Sequence, residues 1–187
     1  MKWPDAATEL SLPPWLLKRW QDHYGPEAAS TMARAALEEP IAAINTETGR
    51  QQDAGAQTIV PLLDVQPGML ALDVCAAPGN KTAQLLAAGA RVVACDRYPS
   101  RLASVDATAM RVLIDGAIPL PFPQVFDRIL LDAPCSGTGT LARNPEIKWR
   151  LRERDLDRFV DLQKHILKNA LALPQARRQT RLFDVFP

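Results

Sequence analysis

Residues 69–82 read MLALDVCAAPGNKT, and this stretch decides the fold. A short apolar run ends at Asp73, small residues follow it, and a helix is predicted from residue 81 to residue 88. Small residues let the backbone approach a ligand closely, and Gly79 and Asn80 both tolerate unusual backbone dihedrals. The helix start presents free N–H groups and the positive end of the helix dipole. The turn therefore suits a carboxylate or a phosphate, although it matches neither the GxGxxG fingerprint nor a Walker loop.

The same alternation of strand and helix continues downstream. Strands are predicted at residues 69–74, 91–95, 110–114 and 127–131, and helices at residues 81–88, 100–109 and 154–173. Helical crossovers between apolar strands indicate a parallel sheet that is covered on both faces. Ligands of such folds lie at the carboxyl ends of the strands, near the switch point in strand order.

Acidic residues follow three more of these strands. Asp96 ends the second strand, where a carboxylate can bind both hydroxyls of a ribose or can equally cap the following segment. Asp115 ends the third strand, where it can bind an adenine amine or form an Asp-Gly turn. The fourth strand is followed by Asp132, Pro134 and Cys135. A cysteine is a nucleophile only as a thiolate, so a reactive and a merely packed Cys135 both remain open.

The first 57 residues have a different character. Helices are predicted within residues 11–37, broken at Gly25, and we interpret Trp15 and Trp20 as core residues between them rather than as RNA-stacking residues. Polar, aperiodic sequence follows, which is typical of a linker. The predicted organisation is a helical N-terminal region at residues 1–45, a linker at 46–56, a main domain at 57–173 and an atypical tail at 174–187.

The composition excludes several classes of protein. The 22 Lys and Arg residues against 21 Asp and Glu leave a formal net charge of +1, so any attraction to nucleic acid must be local. The three cysteines have no Cys-x-x-Cys spacing and there are two histidines, which predicts no metal site. With no secretory leader and no apolar stretch of about 18 residues, we expect a cytoplasmic protein that does not span a membrane.

Two motifs carry a resemblance to a known family. Residues 73–82 and residues 132–139, DAPCSGTG, resemble the signature motifs of the NOL/NOP/Sun family of RNA cytosine-5 methyltransferases. Residues 52–57, QDAGAQ, and 143–149, RNPEIKW, also resemble that family. The resemblance runs from about residue 51 to 173, and more loosely over 12–45. It implies the α/β, Rossmann-like sheet of class I S-adenosylmethionine-dependent methyltransferases, parallel and incomplete at the C-terminus, with a small N-terminal helical region.

The resemblance also implies a cofactor, a substrate and a site. It implies S-adenosylmethionine as methyl donor and C5 of a cytosine in RNA, with ribosomal RNA as the expected substrate, as acceptor. The residues implied to surround the methionine end of the cofactor are Cys75, Ala76, Ala77, Pro78, Gly79, Asn80 and Lys81. Asp96 is implied at the ribose, Asp115 at the adenine, and Asp132 between the cofactor and the cytosine. Asp132 and Cys135 are the implied catalytic residues, with Cys135 helping to release the product. Residues 12–45 resemble part of the RNA-binding front end of the family.

The sequence departs from the family pattern at three places. The attacking cysteine of the family lies in a Thr-Cys-Ser motif on the next strand, and this sequence has no such motif. We therefore expect a truncated or out-of-frame C-terminus without a fifth strand. The strand at residues 129–131 would then form an unpaired apolar edge that favours self-association. A small RNA-binding unit expected between Asn45 and Gln52 is also missing, and Asn80 stands where the family commonly has glycine.

Three hypotheses on function follow. The chain is an RNA cytosine-5 methyltransferase with weak or no turnover, a non-catalytic cofactor-binding remnant or RNA-binding accessory protein, or an active enzyme in which Cys135 attacks the base. Four basic residues are either phosphate contacts or the solvated start of a helix: Lys148, Arg150, Arg152 and Arg154.

Overall fold

The computed structural model describes residues 2–41, 43–123 and 125–173, and the backbone of the strand Leu182–Asp184. These residues form two compact units. The helical unit contains the described residues up to Ile41 and the segment Cys135–Phe159. The sheet unit contains the described residues from 43 to Pro134 and those from Val160 onward.

The regular elements begin with helices and continue with strands that alternate with helices. The α-helices are α1 (Ala6–Glu9), α2 (Pro14–Tyr24), α3 (Pro26–Ala35), α4 (Ala54–Gln57), α5 (Asn80–Ala87), α6 (Pro99–Leu102), α7 (Ile147–Arg150) and α8 (Asp155–Leu171). The strands are β1 (Leu70–Asp73), β2 (Arg91–Asp96), β3 (Met110–Leu113), β4 (Arg128–Leu131) and β5 (Leu182–Asp184). Turns of 3-10 helix lie at Val60–Leu63 and Thr138–Thr140. Among the described residues, no helix combines the length and the apolar character needed to cross a lipid bilayer.

The sheet of the sheet unit has the strand order β3-β2-β1-β4-β5, and every neighbouring pair is parallel. This order matches the first five strands of a doubly wound fold. The strand β1 pairs with β2 on one side and with β4 on the other, so the switch in strand order falls at β1. The predicted α/β fold with a parallel, Rossmann-like sheet is confirmed.

Apolar side chains cover both faces of the sheet. Side chains alternate between the two faces along each strand, so Leu130 packs on one face while Ile129 and Leu131 pack on the other. The first face is covered from the 3-10 turn and α5, and the second from α8, where Ile166 and Ala170 are buried. Burial on both faces explains why these strands read as continuous apolar runs rather than as alternating ones.

The expectation that β4 forms an unpaired edge is wrong. Residues Ile129 to Leu131 pair in parallel with Leu182 to Asp184, which form β5. A central apolar strand leaves backbone N–H and C=O groups that a short extended segment can satisfy, and three residues of the predicted atypical tail do so. The expected lack of a fifth strand is therefore also wrong, and the proposed self-association through the β4 edge loses its basis.

The helix predicted at residues 100–109 is much shorter in the structure. Helix α6 ends at Leu102, and turns follow it. The Asp106 carboxylate accepts hydrogen bonds from the backbone N–H and the hydroxyl of Thr108 at 2.9 and 2.8 Å. Such a local side-chain acceptor competes with helix formation and favours a turn.

Much of the predicted linker is folded. Asn45 is buried, and its side-chain oxygen accepts the N–H groups of Glu47 and Thr48 at 3.0 Å each. Gln52 is also buried and donates to the side chain of Gln84 in α5 at 2.9 Å. Two of the polar side chains of this segment are thus buried and hydrogen-bonded, whereas Thr46, Glu47 and Gln51 are exposed.

The helical unit has its own apolar core. Helices α2 and α3 contribute Leu16, Leu17, Trp20, Ala29 and Ala33, and Leu141 packs in the same cluster. Trp20 is buried and Trp15 packs partly buried against this cluster, so the predicted core role of both tryptophans is confirmed.

Lys148 lies inside the helical unit rather than on its surface. It is 4% exposed, and its ammonium group donates to the carbonyl of Ala36 after α3 at 3.4 Å. Burial lowers the pKa of Lys148 from its ordinary value. Both interpretations of Lys148 are therefore wrong, because a buried amine is neither a phosphate contact nor part of a solvated helix start.

Asp73 is a deeply buried carboxyl group at the end of β1. It is 1% exposed, and it accepts a hydrogen bond from the hydroxyl of Thr82 at 2.7 Å. Burial raises the pKa of Asp73 from 3.8 to about 7, against the opposing effect of the Thr82 hydrogen bond. The folded chain therefore holds a proton on this carboxyl group at pH values where the unfolded chain has lost it.

We predict that Asp73→Asn makes the stability of the protein less dependent on pH. The raised pKa stabilises the fold fully below about pH 4, and this contribution disappears as the pH rises to about 7. The unfolding free energy of the wild type minus that of Asp73→Asn should thus decrease between pH 4 and pH 8. The expected decrease is a few kcal/mol, because each pKa unit corresponds to about 1.4 kcal/mol. Urea unfolding at both pH values measures this change, and a difference that is constant or grows with pH would contradict it.

Candidate functional site

The loop of residues 74–79 joins β1 to α5 and is fixed by backbone hydrogen bonds. The N–H of Val74 donates to the carbonyl of Leu130 at 3.1 Å, and the N–H of Ala76 donates to that of Cys95 at 2.7 Å. These bonds extend the pairing of β1 with β4 and β2 beyond the strand itself. The start of the loop is therefore held at the carboxyl ends of three adjacent strands.

The loop turns into α5 at Gly79, where any other residue would be strained. Its φ is +100°, and an added Cβ would lie 3.0 Å from the Cα of Val105 and 3.2 Å from Nη1 of Arg50. Helix α5 begins at the next residue, and no side chain caps it. Its first N–H groups have no acceptor within the helix, and they sit at the positive end of the helix dipole.

A lysine and an aspartate meet beside this loop. Nζ of Lys81 lies 2.5 Å from Oδ2 of Asp132, which follows β4. The side chain of Lys81 is 15% exposed and that of Asp132 is 37% exposed, so the carboxylate remains accessible from solvent. Because β1 and β4 are neighbours, the ion pair joins the two sides of the switch point.

Asp96 lies at the end of β2 with its side chain 4% exposed. Its Oδ1 accepts the N–H of Tyr98 at 2.9 Å, which is the capping arrangement considered for this residue. Its Oδ2 lies 4.0 Å from Nη2 of Arg101, too far for a hydrogen bond. One oxygen of the carboxylate thus fixes the turn, while the other retains acceptor capacity for a ligand.

Asp115 follows β3 and has a similar arrangement. Its Oδ1 accepts the N–H of Ala117 at 2.9 Å, as expected for an Asp-Gly turn. Its Oδ2 lies 3.8 Å from Nη1 of Arg97, and the side chain is 36% exposed. The turn and a ligand-binding role are compatible, because they use different oxygens of the same carboxylate.

The predicted cofactor-binding residues therefore lie along one edge of the sheet. In the order of the strands they are Asp115 after β3, Asp96 at the end of β2, residues 75–81 after β1, and Asp132 after β4. We call this set the strand-end row. In the part of the chain that the structure describes, no group of three His, Cys, Asp or Glu side chains is placed to hold a metal ion.

The three cysteines differ in their surroundings. Burial raises the pKa values of Cys75 and Cys95 to about 12 each, and nearby carboxyl groups act in the same direction. Both thiols are therefore protonated at neutral pH and are poor nucleophiles. Cys135 is partly buried, is not in a disulfide and belongs to the helical unit.

Sequence reasoning missed the donors that contact the loop from outside. Nη1 of Arg50 donates to the carbonyl of Pro78 at 3.3 Å, and Nη2 of Arg101 donates to the carbonyl of Ala77 at 3.0 Å. A weak signal for Arg50 existed, because it lies just before the QDAGAQ segment. No pattern in the sequence singles out Arg101.

Comparison with known proteins identifies relatives of the chain. Residues 60–179 match the family described as 16S rRNA methyltransferase RsmB/F. A relative from Pectobacterium atrosepticum, named ribosomal RNA small subunit methyltransferase B, is 46% identical over 127 residues, which cover 62% of this chain and 30% of that protein. The chain thus spans about a third of the length of the curated relatives that it matches.

Two solved structures share the fold. The crystal structure of PH0851 superposes with a TM-score of 0.83 at 20% identity, covering 97% of this chain and 55% of that one. A methyltransferase homolog protein from Pyrococcus horikoshii superposes with a TM-score of 0.69 at 21% identity, covering 91% and 72% of the two chains. The relationship predicted from the two motifs is confirmed, and since the match at residues 60–179 covers more than half of the sequence, the chain belongs to the 16S rRNA methyltransferase RsmB/F family.

Proposed function

We propose that this chain binds S-adenosylmethionine along the strand-end row and forms the cofactor-binding part of a methyltransferase that acts on C5 of cytosine in ribosomal RNA. The observation that carries the proposal is the row itself. Residues predicted from four separate strand ends lie on one edge of the sheet, in the order that a nucleoside with an amino-acid tail requires. An RNA substrate of the small ribosomal subunit also implies a cytoplasmic location.

The residues of the row fit the parts of this cofactor. Gly79 allows the tight turn with a positive φ into α5, and the uncapped start of α5 offers N–H groups to a carboxylate. Oδ2 of Asp96, which does not bond the turn, would accept the ribose hydroxyls, and Oδ2 of Asp115 would accept the adenine amine. S-adenosylmethionine supplies an activated methyl group when it is bound.

Asp132 is proposed to lie between the cofactor and the target base. Its Oδ2 accepts a hydrogen bond from Nζ of Lys81, which orients the carboxylate. A charged, partly exposed carboxylate can accept hydrogen bonds from the amine of a cytosine that has been taken out of its stack. Lys81 and Asp132 would thus orient the base against the methyl donor.

Methyl transfer to C5 of cytosine requires a thiolate that first adds to C6 of the same base and so makes C5 nucleophilic. The need for this thiolate limits the turnover of the chain. The sequence has no Thr-Cys-Ser motif, and the thiols of Cys75 and Cys95 are protonated. We therefore propose cofactor binding with weak or no turnover for this chain. A second candidate is attack by Cys135, which follows the Asp-Ala-Pro segment and is not in a disulfide.

The helical unit is proposed to contact RNA through α7 and the residues after it. Ile147 and Lys148 of this short helix face the core of the unit, whereas Trp149 is 71% exposed and Arg150 is also exposed. Arg152 and Arg154 continue the exposed basic surface. An exposed indole beside arginines is suited to stack on a base while the cations bind phosphates.

We predict that Asp96→Asn weakens binding of S-adenosylmethionine about 10- to 100-fold, the loss expected for a hydrogen bond to a charged acceptor. Asparagine keeps the oxygen that accepts the N–H of Tyr98, so the turn should persist. Calorimetry with the wild type, Asp96→Asn and a control variant, Asp22→Ala, measures the affinity for S-adenosylmethionine. Asp22→Ala is the control, because Asp22 is an exposed ion-pair partner of Lys18 in the helical unit. Equal affinity of Asp96→Asn and the wild type would refute the ribose role.

We predict that the wild type binds S-adenosylmethionine but transfers little or no label from it to unmodified small-subunit ribosomal RNA. The reason is that the sequence has no Thr-Cys-Ser motif and that the thiols of Cys75 and Cys95 are protonated. The assay is transfer of a labelled methyl group, with Cys135→Ala measured in parallel. Efficient transfer by the wild type that Cys135→Ala abolishes would replace the leading proposal with attack by Cys135.

We predict that Trp149→Ala weakens binding of a ribosomal RNA fragment roughly 5- to 100-fold, the range given by one lost stacking contact. Trp149→Phe should retain most of the affinity, since phenylalanine also stacks. Fluorescence anisotropy with labelled RNA measures both variants. Trp3→Ala is the matched control, because Trp3 is also exposed, at 49%, but lies outside this surface. An equal loss for Trp3→Ala, or no loss for Trp149→Ala, would overturn the assignment.

A further inference from the structure

Three consecutive carbonyl groups of the loop of residues 74–79 accept hydrogen bonds. The carbonyl of Ala76 accepts the N–H of Gly79 at 2.8 Å within the loop. The carbonyl of Ala77 accepts from Arg101 at 3.0 Å. The carbonyl of Pro78 accepts from the guanidinium of Arg50 at 3.3 Å. Three consecutive carbonyl oxygens, the groups of the loop that would repel a carboxylate, are thus already bound.

The donors come from segments on either side of the loop. Arg50 precedes β1, whereas Arg101 lies in α6, after β2. The hydroxyl of Ser104 also lies 3.3 Å from the carbonyl of Pro78, but its one hydrogen has a closer acceptor in the carbonyl of Arg101 at 2.7 Å. Both arginine donors carry a full positive charge, and charge-assisted hydrogen bonds are stronger than neutral ones.

Arg50 is itself held by the first residue of α5. Its Nη1 lies 3.4 Å from Oδ1 of Asn80, and the amide nitrogen of Asn80 donates to the carbonyl of Gln51 at 3.1 Å. The asparagine thus ties the helix start to residues 50 and 51. A glycine at this position, which the family commonly has, would lack both contacts.

Arg101 links the loop to the proposed ribose site. Its Nη2 lies 4.0 Å from Oδ2 of Asp96, and its guanidinium carbon lies 5.9 Å from the ring centre of Tyr98. The same guanidinium therefore donates a hydrogen bond to the carbonyl of Ala77 and lies beside the carboxylate of Asp96 at the end of β2. Both arginines place positive charge next to the turn at which the cofactor carboxylate is proposed to bind.

We propose that Arg50 and Arg101 are positioning residues for the carboxylate-bearing end of the cofactor. They fix the glycine turn and cancel the negative ends of its carbonyl dipoles, so that an anion at the start of α5 meets N–H groups and cations. This inference rests on the proposed cofactor function. It predicts a selective effect, because only ligands that carry the amino-acid part reach this turn.

The test compares two ligands that share the adenosine part. S-adenosylhomocysteine carries the amino-acid carboxylate, and 5′-methylthioadenosine lacks it. Arg50→Gln and Arg101→Gln should each weaken binding of S-adenosylhomocysteine about 10-fold, the value of one charge-assisted hydrogen bond. For Arg50→Gln, binding of 5′-methylthioadenosine should stay within about two-fold of the wild type, whereas Arg101→Gln, which also removes a cation beside Asp96, should weaken S-adenosylhomocysteine more than 5′-methylthioadenosine. Arg50→Lys, which keeps the charge, should recover part of the loss.

Arg111→Gln is the matched control for the two arginine variants. Its guanidinium also donates to backbone carbonyls, those of Ala103 and Val105, at 3.4 Å each, but it does not touch the loop. This control should bind both ligands as the wild type does. Calorimetry gives the affinities, and thermal melting shows whether each variant is folded.

The outcomes separate this inference from the function on which it rests. If the wild type binds neither ligand, the proposed cofactor function fails. If the wild type binds both and Arg50→Gln weakens both equally or neither, the positioning role is wrong. If Arg50→Gln does not fold, Arg50→Lys and Arg101→Gln replace it in the test. For these variants, too, the affinity for S-adenosylhomocysteine should fall more than the affinity for 5′-methylthioadenosine, and equal losses would contradict the positioning role.

Discussion

The structure depends on the pairing of β1 with a parallel strand on each side. Because β2 and β4 flank it, the loop that leaves β1 emerges between two other strand ends, and backbone bonds from Val74 and Ala76 extend that pairing into the loop. The turn at Gly79 then has only the space that a glycine needs. Every group proposed to bind the cofactor is positioned relative to this one strand.

Two carboxyl groups near the end of β1, those of Asp73 and Asp132, have different surroundings. Asp73 is buried and keeps a proton near neutral pH, whereas Asp132 is partly exposed and paired with Lys81. The sheet core thus avoids a bare charge directly beneath the site, while the accessible carboxylate remains available to a substrate. The same division applies to the thiols, because burial holds Cys75 and Cys95 in the protonated form.

The sequence predicted the strands and their ends well, because an apolar run closed by an acidic residue is a local signal. Other features depend on contacts between distant residues. The amide network of Asn45 and Gln52 reads as a polar linker, and the strand at residues 182–184 is too short to show a period. Arg50 and Arg101 reach the loop across 28 and 24 residues of sequence, and no local pattern encodes such a contact.

We propose that one edge of the sheet binds S-adenosylmethionine. Hydrogen–deuterium exchange with saturating cofactor tests it most directly, because it reports on the backbone N–H groups themselves. Cofactor binding should slow exchange in peptides that cover residues 75–82, 96–98 and 115–117, with little change in α2 and α3. Unchanged exchange at those strand ends, or protection only in the helical unit, would contradict it.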